Sequence, residues 1–309
     1  MLHYSLRAMN TDCLLIVNSG AGLPDAATAL QRGAAQITEY ERRFSRFRAD
    51  SDLTYLNEQS SRQVAVTPQL AAILSRALEY RALTGGVFSP LVLNDLEALG
   101  YDRSFEFVSG REHTRAQTAV AEIARAPVRV DTLRAVVTRA PGTRVDLGGV
   151  AKGAAADAAL AEIKAFPGAL VDLGGDIRVA GVPDDAPAWI IDVDNPAGGA
   201  SPGRLEITDG AVATSSVTKR RWLANGKPVH HLIDPRSRQP AANGVLQCTA
   251  ITDTAEHADV AAKVGLILGA GSLKEDAGVG PALHLRGMAW MMADGSYCCS
   301  DGWMACARS

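Results

Sequence analysis

The sequence lacks the features that mark membrane-spanning, exported and nucleic-acid-binding proteins. Its 309 residues contain no apolar run long enough for a transmembrane helix. The first residues also lack the basic and apolar regions of a secretory signal. The net charge is -3 and no long basic stretch is present, which argues against nucleic acid as a partner. The sequence therefore predicts a cytoplasmic protein with no membrane span.

Cysteine is also scarce. The five cysteines are an odd number and show no zinc-ligand spacing, which favours free or buried thiols in a reducing compartment. The remaining composition, 47% hydrophobic and 21% charged, is typical of a soluble globular protein. No shift in composition marks a linker, so we expect a single domain over residues 1–309, with two subdomains as the alternative.

Strand patterns and helix patterns alternate along the chain, with many glycine turns between them. Helices are expected from about Pro24 to Phe44, from Pro68 to about Leu83, from Ala154 to Ile163 and from Ala255 to about Leu268. Thr67 suits the N-cap of the second, and Asp50 or Ser51 can cap a short helix that carries Leu53 and Leu56. This alternation predicts an α+β fold with mixed sheets flanked by helices.

The most informative stretch runs from Arg144 to Asp157. An apolar, β-prone segment leads into Gly148-Gly149, then Lys152-Gly153, and then an alanine-rich helix. A strand, a glycine turn and a helix start allow backbone N–H groups to approach phosphate oxygens, and Lys152 can reach the same anion. The alternative is an ordinary connection whose glycines only make the turn.

A second glycine pair follows the next apolar strand, in the sequence Gly174-Gly175-Asp176. Two such turns at strand ends give two close backbone approaches to one ligand. Further along, a strand ends in the hydroxyl cluster of Thr214, Ser215 and Ser216. The simpler interpretations are that Asp176 closes a turn and that the hydroxyls form a solvated strand end.

Taken in order, these motifs resemble those of the FAD:protein FMN transferase family, across roughly residues 8 to 263. The resemblance implies an ApbE-like (T-fold-like) flavin transferase architecture. The matching segments are Ala8–Thr11, Phe44–Phe47, Asp50–Leu53, Leu56-Asn57, Gly85–Phe88, Asp146–Asp157, Leu173–Asp176, Ala213–Ser215, His231–Pro235 and Ala258-Asp259.

The resemblance implies an enzyme that splits the pyrophosphate of FAD and attaches FMN, by a phosphoester, to a Thr or Ser of an unidentified target protein, with release of AMP. Phe47 would cover the flavin, and His231 or Asp234 would take the hydroxyl proton. The FAD site would comprise Met9, Phe47, Val87, Phe88, Ser89, Asp146, Lys152, Gly174, Gly175, Asp176, Thr214, Ser215 and Ile233. The alternatives are an FAD-binding protein without transfer activity and a pyrophosphatase that yields FMN and AMP.

The resemblance also implies Mg²⁺, held by the main-chain carbonyl of Gly149, by Asp259 and by an oxygen ligand four residues on. This chain has Lys263 at that last position. Asp259 and Lys263 would share one face of a helix. We expect the ammonium to occupy the metal position, with little dependence on divalent ions; the alternative is a surface ion pair with Lys263 turned to solvent. The chain also departs from the family pattern at Asn10, Ser89 and Ser216.

Overall fold

The computed structural model describes residues 1–18, 25–108, 112–113, 127–198, 200–275 and 278–308. Its helices are α1 (Ala26–Phe44), α2 (Asp52–Glu58), α3 (Pro68–Leu83), α4 (Leu93–Ala98), α5 (Phe105–Val108), α6 (Ala151–Ile163), α7 (Ala255–Leu268) and α8 (Asp301–Cys306). Its strands are β1 (Leu2–Ala8), β2 (Thr11–Val17), β3 (Gln63–Ala65), β4 (Glu112–His113), β5 (Arg129–Asp131), β6 (Val136–Thr138), β7 (Gly168–Leu173), β8 (Ile177–Gly181), β9 (Trp189–Asp192), β10 (Arg204–Ile207), β11 (Asp209–Ser216), β12 (Arg221–Ala224), β13 (Lys227–His230), β14 (Ile233–Asp234), β15 (Gln239–Pro240), β16 (Val245–Thr252), β17 (Gly287–Met292), β18 (Tyr297–Cys299) and β19 (Ala307–Arg308).

The chain folds into two compact units, each built from separated segments. The first unit comprises Met1–Glu41, Val150–Ser216 and Asn243–Ser309, and the second comprises Arg42–Gly149 and Val217–Ala242. One boundary between the units therefore lies between Gly149 and Val150, inside the glycine-containing stretch from Arg144 to Asp157.

The first unit is organised around an eight-stranded antiparallel sheet in the order β1-β2-β7-β8-β11-β16-β17-β18. Helices α1, α6 and α7 share one apolar core with β2, β7 and β11, and the alanines of α6 let this helix pack closely. A second core contains residues of β9, β10, β11, β16 and β17 together with Trp303 of α8. The first core therefore contains α1, α6 and α7, and the second contains the small sheet with β9 and β10 together with α8.

The second unit contains short sheets and helices. One three-stranded sheet has the order β3-β6-β5, and another has the order β13-β12-β4, in which β12 pairs with β4 in parallel and with β13 antiparallel. An apolar cluster joins α4, Tyr101, Trp222 and Ile233. Among the described residues the β13-β12-β4 sheet is mixed and the other sheets are antiparallel, and their combination with helices gives the α+β fold that the sequence predicts.

Capping signals explain several helix starts. Thr67 Oγ1 accepts the N–H of Leu70 at 3.2 Å, and Ser51 Oγ accepts the N–H of Thr54 at 3.0 Å. The predicted bounds of α7 agree with the structure, with Thr254 as N-cap, whereas α6 begins three residues before the predicted Ala154. The expected start of α1 at Pro24 lies outside the described residues. No helix within the described ranges is both long and apolar enough to cross a membrane.

Candidate functional site

Two turns of the first unit lie together at one end of its sheet. Met9 and Asn10 join β1 to β2 with positive φ angles of 52° and 59°, and the Met9 N–H donates to Glu41 Oε1 at 2.8 Å. Asparagine tolerates this left-handed backbone, which accounts for its presence where the family pattern has glycine. The second turn, Gly174-Gly175, is so close to Thr11 that a Cβ on Gly174 would lie 1.8 Å from its hydroxyl oxygen.

Lys152 and Asp176 form a buried ion pair in the first unit. The ammonium contacts Asp176 Oδ2, and the two side chains are 19% and 1% exposed. Asp176 lies in the turn that connects β7 with β8, and Lys152 is the second residue of α6. The N-cap of α6 is Val150, whose side chain offers no acceptor for the first N–H groups of the helix. This end of α6 therefore combines a fixed ammonium with backbone donors suited to an anion.

The hydroxyl cluster of β11 lies at the same end of the sheet as the turn between β7 and β8. Val212 pairs with Ile177, so Thr214 lies beyond this pair in the direction of Asp176. Thr214 is partly exposed, and its hydroxyl is 2.9 Å from the hydroxyl of Thr249 on β16. Ser215 is buried. Thr214 is thus the accessible member of the two predicted hydroxyl residues.

The start of α7 is fixed to α6 by hydrogen bonds and by close packing. The Asp157 carboxylate accepts the N–H groups of Ala255 and Glu256, each at 2.9 Å. Burial raises the pKa of Asp157, and these two hydrogen bonds oppose the rise. A Cβ on Gly153 would lie 2.3 Å from the Ala255 carbonyl oxygen, so the two backbones touch. The side chains of α7 therefore have a fixed position relative to α6.

Lys263 contacts the predicted metal ligand Asp259 one turn along α7. Its ammonium lies on Asp259 Oδ1, and the side chains are 16% and 2% exposed, so Lys263 is not turned to solvent. Within the described ranges, no group of three or more His, Cys, Asp or Glu side chains could hold a metal ion. A carboxylate that already binds an ammonium does not fit the oxygen-rich coordination that Mg²⁺ requires.

In the second unit, Arg46 binds the predicted flavin-site residue Asp146. Arg46 Nε lies 2.7 Å from Asp146 Oδ2, and the Gly148 N–H donates to Oδ1 at 2.6 Å. Asn57 fixes the segment before Asp146 by exchanging two 2.8 Å hydrogen bonds with the backbone of Val145. Both oxygens of Asp146 therefore have partners within the second unit.

Aromatic rings surround the Arg46 guanidinium, which lies 4.1 Å from the ring centroid of Phe47 and 4.5 Å from that of Tyr101. Tyr101 in turn contacts Trp222, with 5.3 Å between centroids, and belongs to the same cluster as Ile233. Phe47 is 40% exposed. The second unit thus groups Phe47, Asp146 and Ile233 around Tyr101.

The turn Val87–Ser89 follows α3. Val87 and Phe88 are buried, and Phe88 meets Tyr80 edge to face at 6.1 Å between centroids. Ser89 is partly exposed, and its hydroxyl accepts the N–H of Leu91. The side chains of Val87 and Phe88 pack inside the second unit, so any contact they make with a ligand uses a minor part of their surface.

The two adjacent histidines of the second unit have different environments. Both ring nitrogens of His230 meet backbone groups, Nδ1 accepting from Leu232 N and Nε2 donating to Ala241 O, and burial lowers its pKa. Asp234 is bound by Arg236, which holds the pKa of this carboxyl below its ordinary value. His231 is partly exposed. Arg236 therefore makes Asp234 a weaker base than an unpaired aspartate.

Arg46 and Tyr101 were not predicted as site residues. Arg46 lies inside the Phe44–Phe47 motif, so its place in the motif is a signal in the sequence. Tyr101 lies in no motif, and its role emerges only from contacts with residues far along the chain.

Comparisons with known proteins show which family the chain belongs to. The model of the ApbE family matches residues 9–277. The FAD:protein FMN transferase of Treponema pallidum is 30% identical over 279 residues, covering 84% of this chain and 77% of that protein. The FAD:protein FMN transferase of Vibrio cholerae is 26% identical over 275 residues, covering 87% and 81%.

Solved structures show the same fold. The ApbE protein from Thermotoga maritima superposes with a TM-score of 0.85 at 24% identity, covering 100% of both chains. The flavin transferase ApbE from Vibrio cholerae has a TM-score of 0.79 at 21% identity, covering 99% of this chain and 98% of that one. These likenesses confirm the predicted α+β architecture. Because the family match extends over most of the sequence, this chain belongs to the ApbE family.

Proposed function

We propose that this protein is an FAD:protein FMN transferase, which binds FAD and transfers FMN to a Thr or Ser hydroxyl of a target protein. The family membership and the curated relatives that carry this name support the proposal. The observation in this chain that carries it is the Lys152–Asp176 pair at the start of α6, where an ammonium and helix N–H groups can bind phosphate.

The reaction is a phosphoryl transfer. The target hydroxyl oxygen attacks the phosphorus of the FMN half, and the bond from this phosphorus to the oxygen that bridges to AMP breaks. AMP leaves with the bridging oxygen, and the hydroxyl proton passes to a base. Lys152 and the first N–H groups of α6 stabilise the charge that develops on the phosphates. Met9, Gly174, Gly175, Thr214 and Ser215 complete the proposed FAD contacts of the first unit.

The proposed contribution of the second unit is flavin binding and the base. Phe47 covers the flavin, and Asp146 and Ile233 are the accompanying contacts, with Val87, Phe88 and Ser89 in a supporting turn. We assign the base to His231, because Arg236 lowers the basicity of Asp234 and backbone groups hold both nitrogens of His230. A cytoplasmic location stays a prediction, supported by five free thiols.

Incubation of the purified protein with FAD, with and without a cell extract as a source of acceptor proteins, tests the function. We expect AMP release that requires the extract and appears together with covalent flavin fluorescence on a denaturing gel. AMP with free FMN in the absence of extract would indicate a pyrophosphatase. FAD binding with no AMP in either sample would indicate a binding protein.

The histidine pair provides a matched test of the base. Replacing His231 by Ala should slow transfer by about 10²–10⁴-fold, the usual contribution of a general base, while FAD still binds. His230→Gln changes the neighbouring imidazole and should leave the rate of transfer within a few-fold of wild type. Equal losses in both variants would contradict the assignment of the base to His231.

A further inference from the structure

The Lys263–Asp259 pair lies on a helix whose position is fixed. Thr254 caps α7 by accepting the His257 N–H at 3.2 Å, and Asp157 binds the first two N–H groups of the helix. The Lys263 ammonium contacts Asp259 Oδ1 and lies 3.5 Å from the Asp259 main-chain oxygen. With 16% and 2% exposure, the pair is part of the interior of the first unit.

The second oxygen of the Asp259 carboxylate, Oδ2, differs from Oδ1 in its hydrogen bonding. Oδ2 of Asp259 is buried and accepts no hydrogen bond from any residue that the structure describes. A buried carboxylate oxygen without a donor is rare in folded proteins and usually marks the position of a ligand or an ordered water. Asp259 therefore has one oxygen bound to a cation of the chain itself and one oxygen open to a further donor.

A divalent ion at this carboxylate would meet two obstacles. It would lie next to the Lys263 ammonium, and like charges at such a distance repel strongly in a buried site where solvent screening is weak. It would also lose an oxygen ligand, because an ammonium has three donors and no lone pair to coordinate a metal. Lys263 thus places a positive charge beside Asp259 and provides no oxygen ligand for a divalent ion.

We propose that Lys263 is a built-in cation that replaces the divalent metal at Asp259, so that this protein binds FAD without Mg²⁺. This inference rests on the proposed function for the identity of the nucleotide. The exclusion of metal by Lys263 is independent of it. An ammonium carries one charge instead of two and has no coordination geometry, so it replaces the electrostatic effect of the metal only in part.

Electron paramagnetic resonance of free Mn²⁺, titrated with the purified protein in the absence of nucleotide, tests the exclusion directly. We expect wild type and Asp259→Asn to bind Mn²⁺ equally weakly. Lys263→Thr, which removes the ammonium and adds an oxygen, should gain one site that is at least about tenfold tighter, a change of about 1.4 kcal/mol. This gain should disappear in Asp259→Asn/Lys263→Thr. Lys164→Thr, the same substitution at an exposed position of the first unit, should match wild type.

Two results would overturn the inference. One is a Mn²⁺ site in the wild type that is lost in Asp259→Asn, a comparison that stands even where Lys263→Thr fails to fold. The other is a folded Lys263→Thr that binds Mn²⁺ no better than wild type, because Lys263 would then not be what excludes the metal.

Calorimetric titration with FAD, in Mg²⁺ and in EDTA, tests the consequence for the nucleotide. A wild-type Kd that agrees within about threefold in the two buffers supports the inference, and weakening by more than about tenfold in EDTA overturns it. Absence of FAD binding in both buffers would instead count against the proposed function, and the Mn²⁺ titration would still decide the role of Lys263.

Discussion

The most buried aspartates of the two units pair with different cations. In the first unit Asp176 and Asp259, which are 1% and 2% exposed, pair with Lys152 and Lys263, whereas the more exposed Asp157 pairs with Arg178. The second unit pairs Asp146 with Arg46 and Asp95 with Arg238. An ammonium is a compact point charge with three donors that can be shared with a ligand, whereas a guanidinium is a planar fork whose donors and faces are fixed by its neighbours.

The largest effect is expected from removing one member of a buried pair. Lys263→Met would leave the Asp259 carboxylate buried without its cation and should lower the free energy of unfolding by about 3–5 kcal/mol. Urea denaturation measures this loss. Lys164→Met, at an exposed position, should stay within about 0.5 kcal/mol of wild type. Equal behaviour of the two variants would show that the Lys263–Asp259 pair does not contribute to stability.

Replacing an arginine by a lysine tests whether the second unit requires a guanidinium. Arg46→Lys keeps the charge but loses the stacking on Phe47 and Tyr101 and the 2.8 Å hydrogen bond to Tyr101 O. The expected loss of stability is about 1.5–3 kcal/mol, the range for hydrogen bonds to charged groups. The control is Arg48→Lys, since Arg48 forms an exposed, solvent-screened pair with Asp50 whose change should leave stability as in wild type. Arg46→Lys without loss would mean that any cation serves at this position.

The corresponding test in the first unit measures ligand affinity. Lys152→Ala should weaken FAD binding by about 1.5–3 kcal/mol, because a charge-assisted contact with phosphate is lost. Calorimetric titration gives the Kd, with Lys164→Ala as control and circular dichroism to verify folding. Wild type should also bind FAD more tightly than riboflavin, which has no phosphate. An unchanged Kd in Lys152→Ala would restrict Lys152 to a structural role beside Asp176.

A smaller effect concerns pH. Burial lowers the pKa of His230, so below its ordinary value near 6.5 the unfolded chain binds a proton that the folded chain does not. The folded state should therefore lose stability as the pH falls from 7 to 5, by at most about 1.4 kcal/mol per pH unit for this one group. His230→Gln should reduce that slope in denaturation curves. A slope unchanged by the substitution would assign the pH dependence to other groups.

Local signals in the sequence predicted the secondary structure better than they predicted the contacts. The predicted bounds of α7 agree with the structure, whereas α6 starts three residues before its predicted start because its N-cap, Val150, gives no polar signal. The order of the motifs identified the family. The Lys152–Asp176 pair depends on where the turn between β7 and β8 lies relative to α6, and 100 residues separate Arg46 from Asp146. Ion pairs between residues so far apart in the sequence depend on how the elements pack, and a local sequence pattern does not predict this packing.

The sequence predicts a single domain, with two subdomains as the alternative, and has no signal for where the two units divide. The second unit consists of two segments, and the chain passes between the units at Gly149-Val150 without any change in composition. The sequence predicts that Gly148 and Gly149 form a turn next to a ligand. The resemblance also implies that the Gly149 carbonyl binds a metal, and this role stays a prediction.

The contact of α6 with α7 at Gly153 limits how this protein can be re-engineered. Any side chain larger than hydrogen at position 153 would collide with the Ala255 carbonyl and with the Glu256 Cα, which would lie 2.7 Å from the new Cβ. Libraries aimed at another donor nucleotide must therefore keep this glycine, since it sets the spacing of the two helices that carry Lys152 and Lys263.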